Sequence, residues 1–205
     1  MPEISDKIKK ERSLVVVKPD GVQRGLIGEI IRRYENAGLK LVAAKMMVPS
    51  PELVEKHYLI DPEWPVKTGT KTINAYKSQG KIPPSEDPLE ITKIVLGNLK
   101  KYLSSGPVVA TVWQGANAVS IIRKITGATE PLSSDVGTLR GDYTIDSYGL
   151  ADVDGRAVRN LLHASGTPDE ADKEIALWFN PAELIEYRLI NEAMLYDVNL
   201  DGIME

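Results

Sequence analysis

The segment Leu14-Val-Val-Val17 is a run of four apolar residues, three of them β-branched, and it is followed directly by Lys18-Pro-Asp-Gly21. A short apolar run that ends at turn-forming residues is typical of a buried β-strand. Three further runs have the same character: Leu39–Val48, Pro107–Trp113 and Asn160–His163. The segments between the runs have helical spacing, so the chain is expected to alternate strands with helices.

Several helix starts are marked by a capping residue followed by Pro and then Glu. In this pattern the cap side chain and the Glu each satisfy a backbone N–H that has no partner within the helix. The sequence contains Asp87-Pro-Leu-Glu90, Thr167-Pro-Asp-Glu170 and Asn180-Pro-Ala-Glu183, with Ser50-Pro51 as a weaker case. The first helix is expected over about residues 25–37, ending at Gly38, which can adopt the left-handed conformation. Four strands with interleaved helices indicate a ferredoxin-like α/β sandwich with a four-stranded antiparallel sheet.

The length of 205 residues fits a single domain, 1–205, with additions. Residues 61–97 hold five of the 13 prolines and are interpreted as an inserted segment at the surface, partly irregular. A second irregular stretch, 129–156, is rich in glycine and is a candidate functional loop. Residues 188–205 are interpreted as a C-terminal extension available for contacts between subunits.

Composition excludes several kinds of function. The chain has 25 basic and 29 acidic residues, a net charge of −4, so no specific nucleic-acid partner is expected. It has no cysteine and two histidines, which excludes disulfides, thiolate nucleophiles and three-His metal sites. No protein-bound metal is predicted. No targeting or membrane-spanning segment is recognised, so a cytoplasmic location is expected. His57, on a short charged segment, is interpreted as a surface imidazole without a role.

His163 differs from His57 because it ends an apolar strand just before the capping box that opens the last long helix. On that helix Ala171, Glu174 and Trp178 follow helical spacing, which places Glu174 on or beside the inward face. A carboxylate there needs a partner, and it could hold one nitrogen of His163 while the other acts as a nucleophile or base. Spacing alone leaves an alternative open, in which Glu174 pairs with a lysine at the rim and His163 is a hydrogen-bonded core residue.

Cations near loops and strand ends indicate an anionic substrate. Lys18 closes the first strand, Arg123 lies late on a helix, and Arg140 lies in Gly137-Thr-Leu-Arg-Gly-Asp142. Each is by itself more typical of a solvated surface charge. Together with a nucleophilic histidine they would bind a polyphosphate, arginine through bidentate contacts and lysine as a point charge.

At these residues the chain closely resembles nucleoside diphosphate kinases. The resemblance covers about residues 11–187, in six blocks that occur in the family's order. The blocks are residues 11–29, His57-Tyr58, Ser105-Gly-Pro-Val-Val109, Asn117-Ala-Val119 with Gly127-Ala-Thr129, Gly137–Asp142, and Asn160–Ser165 leading to Glu174–Phe179. The insertion and the loop near 143–157 resemble the longer archaeal-type members. The resemblance implies reversible ping-pong transfer of a γ-phosphoryl group from a nucleoside triphosphate to a nucleoside diphosphate through phosphohistidine, an activity that maintains nucleotide pools.

The resemblance also implies roles for individual residues. His163 is the implied phosphate acceptor, held by Glu174, which Ser165 supports. The resemblance assigns Lys18 and Tyr58 to the transferring phosphoryl group, Lys18 with Asn160 to the sugar hydroxyls, and Arg123, Thr129 and Arg140 to the phosphates. Mg²⁺ is expected to arrive chelated by the nucleotide phosphates, and the implied assembly is a homo-oligomer, with a hexamer favoured.

The base-binding residue departs from the family pattern, in which a phenylalanine follows the His-Tyr block. The only phenylalanine of this chain is Phe179. Counting from different blocks points either to Trp64, which would preserve aromatic stacking, or to Val95. Two other functions stay open as alternatives. One is phosphoryl donation from the phosphohistidine to protein acceptors, and the other is a nucleic-acid-binding scaffold, which the negative charge disfavours.

Overall fold

The structure, a computed structural model, describes residues 8–196, and its centre is a four-stranded antiparallel sheet. The strands are β1 (Arg12–Val17), β2 (Lys40–Met47), β3 (Val108–Gln114) and β4 (Leu162–Ala164). Their order across the sheet is β2-β3-β1-β4, and each neighbouring pair is antiparallel. The four apolar runs therefore form the strands, and the predicted ferredoxin-like α/β fold is confirmed.

Ten α-helices lie between and after the strands in the described part of the chain. They are α1 (Pro19–Gln23), α2 (Ile27–Asn36), α3 (Pro51–Tyr58), α4 (Trp64–Ser78), α5 (Pro88–Leu103), α6 (Ala118–Thr126), α7 (Leu139–Tyr143), α8 (Tyr148–Val153), α9 (Pro168–Trp178) and α10 (Glu192–Tyr196). Two 3₁₀ turns cover Pro131–Ser133 and Pro181–Glu183. None of the helices within residues 8–196 is both long enough and apolar enough to span a bilayer.

Strand β1 is central because both of its faces are apolar and buried. Val15 and Val17 belong to a core that includes Trp113 and residues of α2 and α6. Leu14 and Val16 point the other way, into a second core that includes residues of α9. Alternate side chains of a strand point to opposite faces of its sheet, so a continuous apolar run is covered by helices on both sides.

The cap patterns give the predicted helix starts with one exception. The side chains of Ser50, Asp87 and Thr167 accept backbone N–H groups at 3.2, 2.9 and 3.2 Å and begin α3, α5 and α9. Gly38 follows α2 with a φ of 89°, as expected for a left-handed terminus. At residue 180 the predicted helix is wrong, since only the turn 181–183 forms.

The turn at 181–183 is short because the chain then docks on the edge of the sheet. The N–H of Ile185 donates to the carbonyl of Val42 at 2.9 Å, and the hydroxyl of Tyr187 donates to the carbonyl of Leu41 at 2.8 Å. Long-range pairing with β2 thus overrides the local helix signal. The proposed extension 188–205 begins here, and its residues 197–205 lie outside the described part of the chain.

Residues 61–97 contain more helix than the proline content indicates. They hold all of α4 and the first part of α5, joined by the irregular stretch 79–87. The two helices approach closely at Gly69, where an added Cβ would lie 1.9 Å from the carbonyl oxygen of Pro88. The Thr92 hydroxyl also donates to the Pro65 carbonyl. Glycine is therefore required at this contact, and the two helices form one unit.

Candidate active site

His163 lies in the middle of β4, directly opposite Val16 of β1. Partners across antiparallel strands share a face of the sheet, and Val16 belongs to the core that includes residues of α9. Glu174 faces His163 from the buried stripe of α9 that also carries Ala171 and Trp178. Nε2 of His163 lies 2.7 Å from Oε1 of Glu174. The pair suggested by the spacing is thus brought together in the structure.

Ser165 fixes the second oxygen of the carboxylate. Its hydroxyl donates to Oε2 of Glu174 at 2.6 Å and accepts the backbone N–H of Leu14 at 3.0 Å. Burial raises the pKa of Glu174 above its ordinary value, whereas the hydrogen bond from the Ser165 hydroxyl acts in the opposite direction. With Glu174 ionised, Nε2 of His163 carries the proton and donates it, so Nδ1 keeps a free lone pair.

The imidazole of His163 is held in its neutral form. Burial lowers its pKa below the ordinary value, and the positive charges of Lys18, Arg140 and Arg123 add to this effect. The side chain nevertheless keeps 16% of its surface exposed, whereas Glu174 keeps 1%. A neutral imidazole with one nitrogen hydrogen-bonded and the other accessible is a competent nucleophile near neutral pH.

His57 is buried, and its interpretation as a surface imidazole was wrong. It keeps only 3% of its surface exposed and forms the inward stripe of α3 with Val54. Its ring meets the ring of His163 edge to face, with centroids 4.4 Å apart. Nδ1 of His57 accepts the indole N–H of Trp178 at 3.2 Å and lies 3.5 Å from Oε1 of Glu174. The i, i+3, i+4 spacing of Val54, His57 and Tyr58 was the signal that could have revealed this position.

Two imidazoles and one carboxylate thus meet at the centre of the site. Atoms of His57, His163 and Glu174 that can bind metals lie within 4.8 Å of one another, and within residues 8–196 they are the one such group of three. These atoms already bond to protein, since His163 donates to Glu174 and Trp178 donates to His57. The group is satisfied as a hydrogen-bond network, and a metal would have to displace both bonds.

Lys18 and Asn160 form one side of the site. Nζ of Lys18 donates to Oδ1 of Asn160 at 2.7 Å, and both residues are almost fully buried. The pKa of Lys18 is lowered to about 7, mainly by burial and also by the positive charge of Arg140, while the negative charge of Asp20 opposes the shift. The amide of Asn160 also donates to the carbonyl of Thr129 at 2.8 Å, so Lys18, Asn160 and the Thr129 loop are tied together.

Arg140 is largely committed to holding the backbone. Its guanidinium donates to the carbonyls of Asn160, Gly127, Ala128 and Leu162 at 2.6–3.1 Å. Burial lowers its pKa to about 10. Four of its five N–H groups are used in this way, so one remains for a ligand, rather than the pair that a bidentate contact needs.

Arg123 is more available than Arg140. Its side chain is exposed at the end of α6, and no hydrogen bond or ion pair of this side chain occurs among residues 8–196. Unlike Arg140, Arg123 therefore keeps its whole guanidinium for a ligand.

A cavity of about 530 Å³ opens over His163 and includes every residue that the sequence assigned to the site except Ser165, which lies behind Glu174. Helices α4 and α5 contribute one wall, and both Trp64 and Val95 line it. The ring of Trp64 packs against that of Tyr58 with centroids 5.3 Å apart. The volume suits a small organic ligand, and the mixture of cations and aromatic rings suits a phosphorylated one.

A neutral histidine braced by a glutamate, open on its other nitrogen and surrounded by cations, defines a phosphoryl-transfer enzyme that works through phosphohistidine. The family model for nucleoside diphosphate kinase matches residues 11–69 and 90–184. The chain therefore belongs to the nucleoside diphosphate kinase family. It is a phosphotransferase that moves the γ-phosphoryl group reversibly between nucleoside triphosphates and diphosphates. The unmatched residues 70–89 lie within the segment interpreted as an insertion.

Individual relatives agree with the family model. The nucleoside diphosphate kinase of the archaeon Pyrobaculum aerophilum is 48% identical over 180 residues, which cover 86% of this chain and 98% of the relative. The crystal structure of an NDP kinase from the same organism has a TM-score of 0.83 at 47% identity and covers 86% of this chain and 100% of its own. The Borrelia burgdorferi enzyme with vanadate and ADP has a TM-score of 0.74 at 34% identity, over 90% and 95% of the two chains.

Proposed function

We propose that Nδ1 of His163 is the atom that accepts the phosphoryl group. In the first half-reaction its lone pair forms the N–P bond while the bond from the γ-phosphorus to the bridging oxygen breaks, and the nucleoside diphosphate leaves with that electron pair. The proton on Nε2 stays in its bond to Glu174, so the positive charge of the phosphorylated ring faces a carboxylate. The second half-reaction reverses these steps with another diphosphate. The 2.7 Å His163–Glu174 contact beneath the open cavity is the observation that carries the proposal.

The cations and polar groups of the cavity neutralise and align the phosphates. Arg123 and the remaining N–H of Arg140 bind phosphate oxygens, with Thr129 beside them. Lys18 serves the transferring group together with Tyr58, and it serves the sugar hydroxyls together with Asn160. Phosphoryl transfer requires mainly positioning and charge stabilisation, and these six residues all line the cavity that His163 faces.

Trp64 is the base-stacking residue in this proposal. Both Trp64 and Val95 line the cavity, but only the indole offers a π-face. Its ring also packs against that of Tyr58, at a tilted angle of 36°, which restrains its orientation. Because the other contacts reach phosphate and sugar, little selectivity among bases is expected. The Halobacterium salinarum relative, with a TM-score of 0.67 at 35% identity over 92% and 99% of the chains, was solved with CDP.

Mg²⁺ enters as part of the substrate in this proposal. Within residues 8–196 no group of three carboxylates forms an oxygen cage, and the side chains nearest His163 are cationic or are themselves hydrogen-bonded. This donor set suits a cation held by nucleotide phosphates, and Mg²⁺ bound there supplies further neutralisation of phosphate charge. The residues above then bind the nucleotide–magnesium complex.

The proposed setting is a cytoplasmic homo-oligomer, with a hexamer favoured, that binds nucleoside di- and triphosphates and neither a membrane nor specific nucleic acid. Support for assembly comes from large apolar side chains that stay exposed on the single chain, among them Val136 and Ile145 at 93% and 97%. Light scattering on the purified chain measures the assembly directly, and a monomer at micromolar concentration would contradict this part.

Transfer of ³²P from γ-labelled ATP to GDP tests the activity, and the same label tests His163. The His163→Ala variant is expected to lose both the transfer and an acid-labile phosphoprotein. Retention of either in that variant would remove His163 from the reaction. Label that stays on a protein acceptor in the presence of excess diphosphate would favour the alternative of phosphoryl donation to proteins.

A further inference from the structure

His57 has no part in the phosphoryl transfer described above, yet it is almost completely buried against the two residues at its centre. Its ring stands perpendicular to that of His163, at an interplanar angle of 86°. Glu174 and Trp178 face it from α9, His163 from β4 and Lys18 from the end of β1. Burial of an imidazole in such a place requires its polar atoms to be accounted for.

The tautomer of His57 follows from its partner. The indole of Trp178 can only donate, so Nδ1 of His57, 3.2 Å away, must accept and carries no proton. The neutral ring then holds its proton on Nε2. An imidazolium would need a proton on Nδ1, where it would meet the indole N–H. Burial also lowers the pKa of His57 to about 3, which agrees with a permanently neutral ring.

This tautomer has a consequence for Glu174. Oε1 lies 3.5 Å from Nδ1 of His57 and 2.7 Å from Nε2 of His163. Without a proton on Nδ1, His57 cannot donate to Oε1. The only histidine that donates to that oxygen is therefore His163. Trp178 lies one turn after Glu174 on the same helix. Helix α9 therefore supplies both the carboxylate and the indole N–H that prevents His57 from donating to it.

We propose that Trp178 and His57 are positioning residues for the phosphate-accepting imidazole. Trp178 locks His57 in the tautomer that cannot compete for Glu174, and the His57 ring braces the ring of His163 edge to face. His163 thereby keeps its proton on Nε2 and its lone pair on Nδ1. The inference rests on the proposed role of His163.

The first test needs no variant and no turnover. The untagged chain has two histidines, so selective ¹⁵N-histidine labelling gives a spectrum of two rings. Long-range ¹H–¹⁵N correlations are expected to show both rings protonated on Nε2, with His57 unchanged from pH 5 to 9. A proton on Nδ1 of His57 would overturn the proposal, whatever the activity of the enzyme.

The second test uses Trp178→Phe, which keeps the ring and removes the N–H. His57 is then free to carry its proton on Nδ1 and donate it to Oε1 of Glu174. The rate of phosphohistidine formation in a single turnover of ATP is expected to fall roughly 10-fold, the usual effect of one competing hydrogen bond. The KM for nucleotide should change less than about 2-fold. An unchanged rate would refute the competition. The matched control is Trp113→Phe, which loses an indole bond to Thr111 on the other face of the sheet and should keep the rate.

A double variant separates positioning from a merely structural effect. In Trp178→Phe with His57→Phe, no group at residue 57 can donate to Glu174, while an aromatic ring still braces His163. The rate is expected to recover several-fold relative to Trp178→Phe alone. A double variant that is equally slow or slower would mean that the two residues act only through packing, and the proposal would fail.

Discussion

Replacing Glu174 by Gln removes a charge while keeping the shape of the side chain. The amide oxygen can still accept the N–H of His163, and the amide nitrogen can face Ser165, whose hydroxyl can then accept. The variant is therefore expected to fold. It no longer balances the positive charge that the imidazole acquires when Nδ1 bonds to phosphorus, because the 2.7 Å contact becomes a neutral hydrogen bond.

The size of the effect follows from that contact. A hydrogen bond to a charged group exceeds a neutral one by about 1–1.5 kcal/mol. Opposite charges about 4 Å apart attract by about 4 kcal/mol at an effective dielectric constant of about 20. Since about 1.4 kcal/mol corresponds to tenfold in rate, the loss in phosphorylation rate should lie between about 10-fold and 1,000-fold.

Rapid quench into alkali with γ-labelled ATP measures the burst of phosphohistidine in this variant. The matched control is Glu183→Gln, because Glu183 is a carboxylate that pairs with Lys45 of β2, and neither residue lines the cavity. It should behave like the unaltered chain. If the phosphorylation rate of Glu174→Gln is within about twofold of the rate of that control, the carboxylate charge plays no part in the chemical step. The mechanism argued from that charge is then refuted.

Three further changes test other parts of the structure. Gly69→Ala places a Cβ 1.9 Å from the Pro88 carbonyl, so the helices must separate at a cost of about 2 kcal/mol, and calorimetry should show Tm lower by roughly 4–8 °C. Trp64→Ala should raise the KM for nucleoside diphosphates about 10-fold or more, as loss of a stacked base predicts, and Val95→Ala much less; equal effects would contradict stacking on Trp64. The pKa of Lys18 is about 7 in the folded chain, against an ordinary lysine pKa of 10.5, so the unfolded chain binds more protons between these values and stability should rise with pH across that window. Phosphate binding favours charged Lys18, so calorimetry in buffers of different ionisation enthalpy should detect proton uptake at pH 8, which is lost in Lys18→Met.

The parts of the fold that could be predicted from the sequence are those set by local chemistry. The run Leu14–Val17 was recognised as a buried strand because it is short, rich in β-branched residues and followed by turn-forming residues. Caps such as Thr167 work within one helical turn, and they marked the start of α9 correctly. The helix expected after Asn180 does not form because a long-range contact decides the conformation there. Ile185 donates to the carbonyl of Val42, which is more than a hundred residues away in sequence.

The candidate site divides in the same way. The helical spacing of α9 placed Glu174 inward, and a short turn of chain kept His163 near it. His57 was missed because its charged neighbours Glu55 and Lys56 point outward and conceal the stripe that it shares with Val54. Its meeting with α9 is a long-range contact that spacing within α3 does not encode. The four hydrogen bonds from Arg140 to backbone carbonyls could not be predicted either, because they too join segments that are apart in sequence.

The sharpest departure from local preference is Leu161, a buried leucine with a φ of 69°. A left-handed leucine costs about 1–2 kcal/mol, so the surrounding structure has to hold it. Its carbonyl accepts the N–H of Lys18 at 2.8 Å, and its own N–H donates to Asp20 at 3.1 Å. This kink joins Asn160, whose oxygen meets Nζ of Lys18, to the strand that carries His163. The strained backbone therefore lies between Lys18, the cation proposed to bind the transferring phosphoryl group, and His163, which is proposed to accept it. The hydrogen bonds of Leu161 with Lys18 and Asp20 fix the positions of these two residues relative to each other.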